Sequence, residues 1–419
     1  MKNQLNMLFG EPKGITDALE RLSGVDLSDP LERVVEFNDE PKIPTYLSTP
    51  NEKAKEKYKF GDAFGQGSAF SDTLAKVKAE AEFLERLAIY NPDRKKMIRR
   101  TFPSKKCVNP ELFVHYSDIV NRYMNNSDEG MNGSYSWISA FNHLERKSVL
   151  VPAQVVYIHN RFSGENTIVR EQITTGTALG NDYDMAFENG LMEVIERDAF
   201  MIAYYTRKKI ARVTGFPIKI KQLIEYLARY KLEAFVFDIT NDLNVATFMT
   251  VLVDRSGIGP SISVGLRSGL ENEDTISGSI IESVQPRRYS RLMKAANAKF
   301  EFPKAQKIRS TMDRYYYWYR KEMPKYLDFW LKSDKTINYG RLPKYSSSIK
   351  DVENLFKERE YHVISADITL DEIRKAGFKV IKVLVPELHP LYISEDARAT
   401  YSLHAGFLNA KRLRPHPFA

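Results

Sequence analysis

Apolar residues recur at helical and strand spacings along most of the chain, and the densest helical run is the stretch TTGTALGNDYDMAFENGLMEVIERDAFMIAYY from Thr174 to Tyr205. It predicts a tight turn punctuated by Gly176 and Gly180, then a long helix whose first free N–H groups Asn181 or Asp182 can cap. Met185, Ala186, Phe187, Leu191, Met192, Val194, Ile195, Ala199, Phe200 and Ile202 leave almost no polar face, the pattern of a buried helix. Glu193 and Glu196 interrupt it, neighbours on one surface with Arg197 beside them. Ionised carboxylates buried side by side are costly unless cations or hydrogen-bond donors face them, so the helix predicts a positive partner. A single ExxER needs no more than an internal ion pair.

The pattern recurs, however. Gly65, Gln66 and Gly67 precede FSDTLAKVKAEAEFLERLAIY, where Ser71 or Asp72 can cap and Glu82, Glu85 and Arg86 repeat the ExxER. Gly265 and Gly269 precede ENEDTISGSIIESVQPRR, where Glu282, Gln285 and Arg287 form a related ExxQxR. Glycine turn, acidic cap, apolar helix and terminal carboxylate thus occur three times, an internal repeat. Three such helices would bring Glu82, Glu85, Glu193 and Glu196 together with Arg86, Arg197 and Arg287. Carboxylate oxygens suit a hard divalent cation such as Mg2+, and guanidinium groups suit phosphates.

Elsewhere LEAFVFDIT and VATFMTVLV read as buried strands, and LVPAQVVYIHN as a strand that Pro152 starts. ITDALERLS, SIKDVENLFKER and DEIRKAGF read as helices, the last stopped by Gly377, and VIKVLVP as a strand ended by Pro386. This alternation predicts an α/β or α+β sandwich of mixed sheets and helices. Residues 1–60, broken by Pro12, Pro30, Pro41, Pro44 and Pro50, are expected to form an N-terminal extension packed on a main domain of residues 61–392. Residues 393–419 follow as a tail ending in PHPFA. Between Ala295 and Ser347 charged and aromatic residues dominate, and Tyr315, Trp318 and Tyr319 lie at helical spacing, a stripe read as packing or as a peptide-contacting surface.

The 419 residues carry 62 basic and 54 acidic side chains for a formal charge of +8, but the two signs are interleaved and no nucleic-acid signature accompanies them. A 43% hydrophobic content supports a sizeable core. The single cysteine, Cys107, excludes an internal disulfide and reads as a small buried hydrophobe. The seven histidines contain no i, i+4 pair or HExxH, and GxGxxG, GxxxxGK[ST] and GxSxG are absent. A histidine zinc site, a dinucleotide fold, a Walker loop and a serine elbow are therefore not expected. No apolar run approaches the ~20 residues needed to span a bilayer, so a cytoplasmic protein without membrane or nucleic-acid partners is expected.

The ExxER at Glu82 to Arg86, the turn Leu179-Gly180-Asn181 leading to GLMEVIERDA, and the ExxQxR at Glu282 to Arg287 closely resemble the ATP-binding motifs of YcaO-domain proteins. The resemblance covers nearly the whole chain, through VIKVLVPELHPLYI to the terminal PHPFA, which is similar to the proline-rich tail of azoline-forming YcaO cyclodehydratases. It implies the YcaO fold, with ATP and Mg2+ bound. Glu82, Glu85, Glu193 and Glu196 would hold the metal, and Asn181, Arg86, Arg197, Glu282, Gln285 and Arg287 would contact the nucleotide. Pro415 and Pro417 would bring the Ala419 carboxylate into the active site for proton transfer, and Lys13 in GEPKGI is a candidate N-terminal phosphate contact.

The activity so implied is conversion of Cys, Ser or Thr of a ribosomal precursor peptide into thiazoline or oxazoline during bacteriocin or toxin biosynthesis. Implied partners are that peptide, a separate ThiF-like leader-binding protein, a flavin-dependent dehydrogenase in the same complex, and a second copy of the chain. Two rival readings are a thioamide-forming YcaO enzyme and a non-catalytic ATP-binding adaptor. Three positions depart from the family pattern. Lys78 stands where serine is common, Met185, flanked by Asp184, stands where glutamate is common, and Ala419 ends the chain where proline is typical.

Overall fold

The computed structural model describes Leu5 and residues 9–61, 63–114, 133–158, 162, 165, 169–297, 301–409 and 413–418. Three sheets carry most of the strands. The first is antiparallel, β1 (Glu32–Arg33), β2 (Thr45–Ser48) and β3 (Gly65–Ser68) in that order. The N-terminal sixty residues therefore do more than cover the main domain: they pair with it through β2. From one edge the second sheet runs β11 (Ile262–Ser268), β10 (Thr247–Asp254), β9 (Leu232–Asp238), β8 (Ala211–Thr214) and β12 (Thr336–Asn338). Its β8–β12 pair is parallel and its other pairs are antiparallel. The third has β4 (Ile98–Phe102), β5 (Gly133–Asn142), β13 (Ile364–Asp367), β14 (Lys379–Leu384) and β7 (Thr177–Gly180), with β6 (Lys147–Pro152) also on β5.

The helices that matter to the site are α1 (Ile15–Ser23), α2 (Asp72–Tyr90), α3 (Tyr183–Thr206), α4 (Ile218–Ala228), α5 (Asn272–Glu282), α6 (Gln285–Ala296) and α7 (Ile349–Glu358). The expectation of mixed sheets packed with helices is met. The apolar α3 is buried: its first half joins β14 and α7 in one core, and its second half packs on the second sheet with Trp318, Trp330 and Phe418. The opposite face of the second sheet rests on α4 and α5, and α2 packs on the third sheet. Of the aromatic stripe, Trp318 and Tyr319 are buried as packing residues, whereas Tyr315 is half-buried. Pro152 ends its strand instead of starting it, because a 3-10 turn begins at Ala153.

The glycines differ most from expectation. Gly65 and Gly265 lie within strands, not turns, and their strands press against the helices that follow. A Cβ on Gly65 would stand 1.9 Å from the Ala79 carbonyl oxygen and 2.4 Å from the Phe83 nitrogen. On Gly265 it would meet the Ser279 oxygen at 2.2 Å and the Ser283 nitrogen at 2.3 Å. Gly176, at φ +84°, is itself a turn residue, yet its Cβ would lie 2.9 Å from Val194 Cγ2, and one on Gly190 would lie 2.7 Å from the Gly176 oxygen. The spacings coincide: Ala79, Gly190 and Ser279 follow Gly65, Gly176 and Gly265 at one interval, and Phe83, Val194 and Ser283 at a second. Only glycine lets strand and helix backbones come this close.

The C-terminal hairpin is clamped to α3 by His404. Its Nδ1 is 2.9 Å from Asp198 Oδ2 and its Nε2 is 2.9 Å from Asp242 Oδ1. Burial works against the imidazolium, but Asp198 and then Asp242 raise its pKa above the ordinary value.

Gly265→Ala is expected to destabilise the protein by about 3 kcal/mol, because backbone cannot yield as a side-chain tip can. Gly133→Ala, whose Cβ would meet nothing nearer than 4.0 Å, is expected to stay within about 0.5 kcal/mol of the parent. Urea unfolding of both checks the contrast. The raised His404 pKa means that its contribution is fully present below the unfolded value of about 6.5 and is lost as pH rises through the folded value. The stability gap between parent and His404→Gln is thus expected to shrink on going from mildly acidic to alkaline pH, and urea midpoints across that range measure it.

Candidate functional site

A cavity of about 990 Å³ opens between α2, α3 and α5. Each helix gives it one stripe at helical period, and the stripes match place for place. Leu74, Val77, Lys78, Ala81, Glu82, Glu85 and Arg86 come from α2, and Met185, Glu188, Asn189, Met192, Glu193, Glu196 and Arg197 from α3. Asp274, Ser277, Gly278, Ile281 and Glu282 of α5 and Gln285 of α6 complete the series. Counted from Gly65, Gly176 and Gly265, the three stripes occupy the same positions. Glu82, Glu193 and Glu282 are therefore equivalent, as are Glu85, Glu196 and Gln285.

The three strands that precede these helices, β3, β7 and β11, are each the edge strand of a different sheet. An edge strand leaves a row of N–H and C=O groups without a neighbouring strand, and the glutamates take them up. Glu82 Oε2 accepts from Gln66 N at 2.7 Å, Glu193 Oε2 from Gly176 N at 2.9 Å and Glu282 Oε2 from Leu266 N at 3.2 Å, each within its own repeat. The second set crosses between repeats. Glu85 Oε1 accepts from Leu179 N at 2.6 Å and Glu196 Oε2 from Ser268 N at 3.0 Å, while Gln285 Nε2 donates to the Gln66 oxygen at 3.2 Å. First repeat to second, second to third and third to first, the bonds close a ring around the cavity.

Two arginines are already engaged. Arg86 donates to Glu82 Oε1 at 2.7 Å, and Arg197 donates to Glu193 Oε1 at 3.0 Å and also pairs with Glu196. Burial pushes the Glu85 carboxyl well above its ordinary pKa, with Glu82 and Glu193 acting in the same direction. Burial likewise raises Glu282, against Arg197 and Arg267. Lys78, exposed to the open cavity, is driven down to about 8 by loss of solvation among the surrounding walls and then by Arg267, with Glu282 opposing. Below the Thr174–Gly176 turn, buried Lys382 donates to the Ile173 and Thr175 oxygens at 2.8 and 2.6 Å, which fixes the turn that presents the Gly176 N–H. Among polar atoms of cavity-lining residues, Thr177 Oγ1, Gln66 Nε2 and Arg197 Nε are buried without a hydrogen-bond partner.

Most sequence-derived candidates meet here: Glu82, Glu85, Glu193, Glu196, Arg86, Arg197, Asn181, Glu282, Gln285 and Lys13 all line the cavity. Asp182 rather than Asn181 caps α3, donated to by Met185 N at 2.8 Å, and this leaves Asn181 to the cavity. Glu188, one turn beyond Met185, lines the cavity as Asn181 does, and Asp184 is not among the lining residues. Glu188, Asn189 and Arg267 were missed, although the stripe through Glu193 and Glu196, extended backwards at helical spacing, passes through the first two. The four expected metal ligands share the cavity but do not form a ready-made shell: among the described residues no three acidic, histidine or cysteine side chains are grouped to hold a metal ion. The donors are nonetheless all oxygens, and the arginine-bound Oε1 atoms of Glu82 and Glu193 become ligands if the arginines turn to an anion, so the residues fit Mg2+ with phosphate.

Arg287 is the clearest correction. In the first two repeats the helix runs on past the arginine, whereas here α5 stops at Glu282 and α6 begins with Pro286 near its start. The break carries Arg287 out of the cavity into a buried network, 2.9 Å from Glu40 and 3.0 Å from Asp254. The tail is not frayed. Trp318 Nε1 donates to the Pro415 oxygen at 3.0 Å, Arg314 to the His416 oxygen at 3.1 Å, and His416 Nε2 to the Tyr392 oxygen at 2.8 Å. Pro415 and Pro417 are thus buried in the core and do not line the cavity, but Phe418 lies under the guanidinium of Arg197 at 4.4 Å. Ala419 lies outside the described residues.

Residues 66–389 match the profile of the YcaO family, described as YcaO cyclodehydratase, ATP- and Mg2+-binding. An uncharacterized protein of Methanothermobacter thermautotrophicus is 31% identical over 163 residues, 38% of this chain and 42% of that protein. The match thus spans less than half the length of this curated relative. Among solved structures, a heterocyclase in complex with substrate and cofactor superposes with a TM-score of 0.71 at 18% identity, covering 90% of this chain and 53% of that one. The YcaO protein from Methanopyrus kandleri bound with AMPPCP and Mg2+ gives 0.64 at 16% identity, with 96% of each chain covered. The E. coli microcin synthetase complex with its pro-peptide bound gives 0.59 at 14% identity, covering 86% and 88%. Among the described residues no helix is long and apolar enough to cross a membrane.

Phe418→Ala is expected to destabilise the protein by about 3 kcal/mol, since it empties a buried aromatic site and removes the ring under Arg197. Thermal unfolding measures the loss.

Proposed function

The chain belongs to the YcaO family, and we propose that it uses ATP to activate a backbone amide oxygen of a ribosomal precursor peptide, so that a Cys, Ser or Thr side chain closes an azoline ring. The observation that carries this reading is the ring of glutamates and arginines around one cavity large enough for a nucleotide. In the reaction the side-chain sulfur or oxygen adds to the preceding carbonyl carbon. The resulting oxygen takes the γ-phosphoryl of ATP and leaves as phosphate, giving azoline, ADP and phosphate.

Each part of the cavity has a task in this scheme. Glu82, Glu85, Glu193 and Glu196 are the Mg2+ ligands, already oriented by strand N–H groups, and Mg2+ when bound neutralises charge on the phosphates. Arg86 and Arg197 exchange their carboxylate partners for phosphate oxygens and stabilise charge on the transferred group. Asn181, Glu282 and Gln285 position the nucleotide, with Glu282 and Gln285 fixed by Leu266 and Gln66. Arg287 has no direct part and holds α6 against Glu40 and Asp254. Pro415 and Pro417 stiffen the tail, Phe418 lies against Arg197, and the carboxylate of Ala419 serves proton transfer. Peptide capture falls to a separate leader-binding partner, with any later oxidation to a dehydrogenase of the same assembly.

Calorimetric titration with ATP and Mg2+ is expected to give clear binding to the parent and at least about tenfold weaker binding to Glu193→Gln and to Glu196→Gln, or about 1.4 kcal/mol each. Unchanged binding in both folded variants would make the ExxER motifs structural ion pairs and end the enzymatic reading. With precursor peptide and partner present, loss of one water per modified residue supports azoline formation. Exchange of an amide oxygen for sulfur would identify a thioamide-forming enzyme instead, and no turnover with every partner would leave an ATP-binding adaptor.

A further inference from the structure

The three matched stripes differ where the first repeat has Lys78, the second Asn189 and the third Gly278. Lys78 lines the cavity with its side chain exposed to it, and its hydrogen bond to the Ser68 oxygen is a long one, 3.4 Å. Arg267, from β11, passes over Gly278, where a Cβ would lie 3.1 Å from its Cγ. The absence of a side chain at Gly278 is what lets this arginine reach the same space. Arg86 and Arg197 are held by glutamates, whereas among the described residues neither Lys78 nor Arg267 is in direct ion-pair contact with a carboxylate. Each opposes the other electrostatically, and Arg267 disfavours the charged form of Lys78. Both side chains are exposed to the open cavity with Glu282 as a shared counter-charge, and an anion bound between them would gain from two cations at once.

We propose that Lys78 and Arg267, brought together from the first and third repeats, form a clamp for the phosphate chain of the bound nucleotide. The clamp rests on the nucleotide reading above and adds two contacts that neither ExxER motif contains. It takes over the phosphate role that Arg287 cannot fill from its buried network. Lysine offers a compact point charge and arginine a planar fork, so the pair can grip one polyphosphate from two sides. The unpartnered Gln66 Nε2 on β3 and Thr177 Oγ1 on β7 are further polar atoms of residues lining the same cavity.

The test compares parent, Lys78→Ser, Lys78→Arg and Arg267→Met by thermal unfolding, without ligand, with ATP and Mg2+, and with inorganic triphosphate and Mg2+. Without ligand, Lys78→Ser and Arg267→Met are expected to melt within about two degrees of the parent, because both side chains are exposed. With ATP they are expected to lose most of the ligand-induced rise and to bind at least tenfold more weakly, while Lys78→Arg retains most of both. Parent-like ATP binding by Lys78→Ser overturns the clamp and leaves the nucleotide site standing. A several-degree drop without ligand that Lys78→Arg restores, with ATP binding intact, shows a structural lysine and also overturns it. If the parent itself fails to respond to ATP, the nucleotide reading fails. A triphosphate response lost in Lys78→Ser then keeps the clamp as a polyphosphate site, and no triphosphate response ends both.

Discussion

The interaction on which the rest depends is the hydrogen bond from an edge-strand N–H to a glutamate of the site helices. Three sheets end at β3, β7 and β11, and each edge would expose unpaired backbone to the cavity. Glu82, Glu193 and Glu282 close these edges from within their own repeats, and Glu85, Glu196 and Gln285 tie each repeat to the next. Charge-assisted bonds of this kind are stronger than neutral ones, so the same carboxylates that fix the fold also fix the site. Geometry makes this possible only because glycine lets the strands lie against the helix backbone.

That dual role sets the electrostatic character of the cavity. One oxygen of each ring carboxylate is committed to the backbone, and the other faces an arginine or open space. Arg86 and Arg197 act as internal counter-ions in the absence of a ligand and are the groups an incoming anion competes for. Breaking a pair by removing one partner leaves a buried charge uncompensated, so the site cannot be dismantled one residue at a time without consequence for folding. Glu85 and Glu282, pushed upward by burial, are the carboxyls most sensitive to what binds beside them.

The tail extends the same economy of construction. A proline-rich terminus would ordinarily fray, but here three backbone oxygens of the tail are donated to by Tyr204, Trp318 and Arg314, and Phe418 supports Arg197 from below. The order of the chain's end and the posture of a cavity arginine are therefore linked, and α3 carries both.

The sequence by itself determined the repeat. Three acidic helices, their caps at Ser71 and Asp182, the buried nature of α3 and the ring of glutamates that lines the cavity follow from local spacing, because helical period and capping chemistry are short-range properties. What local pattern could not decide was which backbone faces which carboxylate. The glycines looked like turns because glycine permits both turns and close approach, and only the packed structure distinguishes them. Arg287 looked equivalent to Arg86 and Arg197, yet counted from Gly265 their place falls to Pro286, α5 has already stopped at Glu282, and the distant Glu40 and Asp254 decide the direction of Arg287. The alignment of Lys78 with Arg267, nearly two hundred residues away in the chain, likewise exists only because three sheet edges converge, a tertiary fact that no single stretch of sequence encodes.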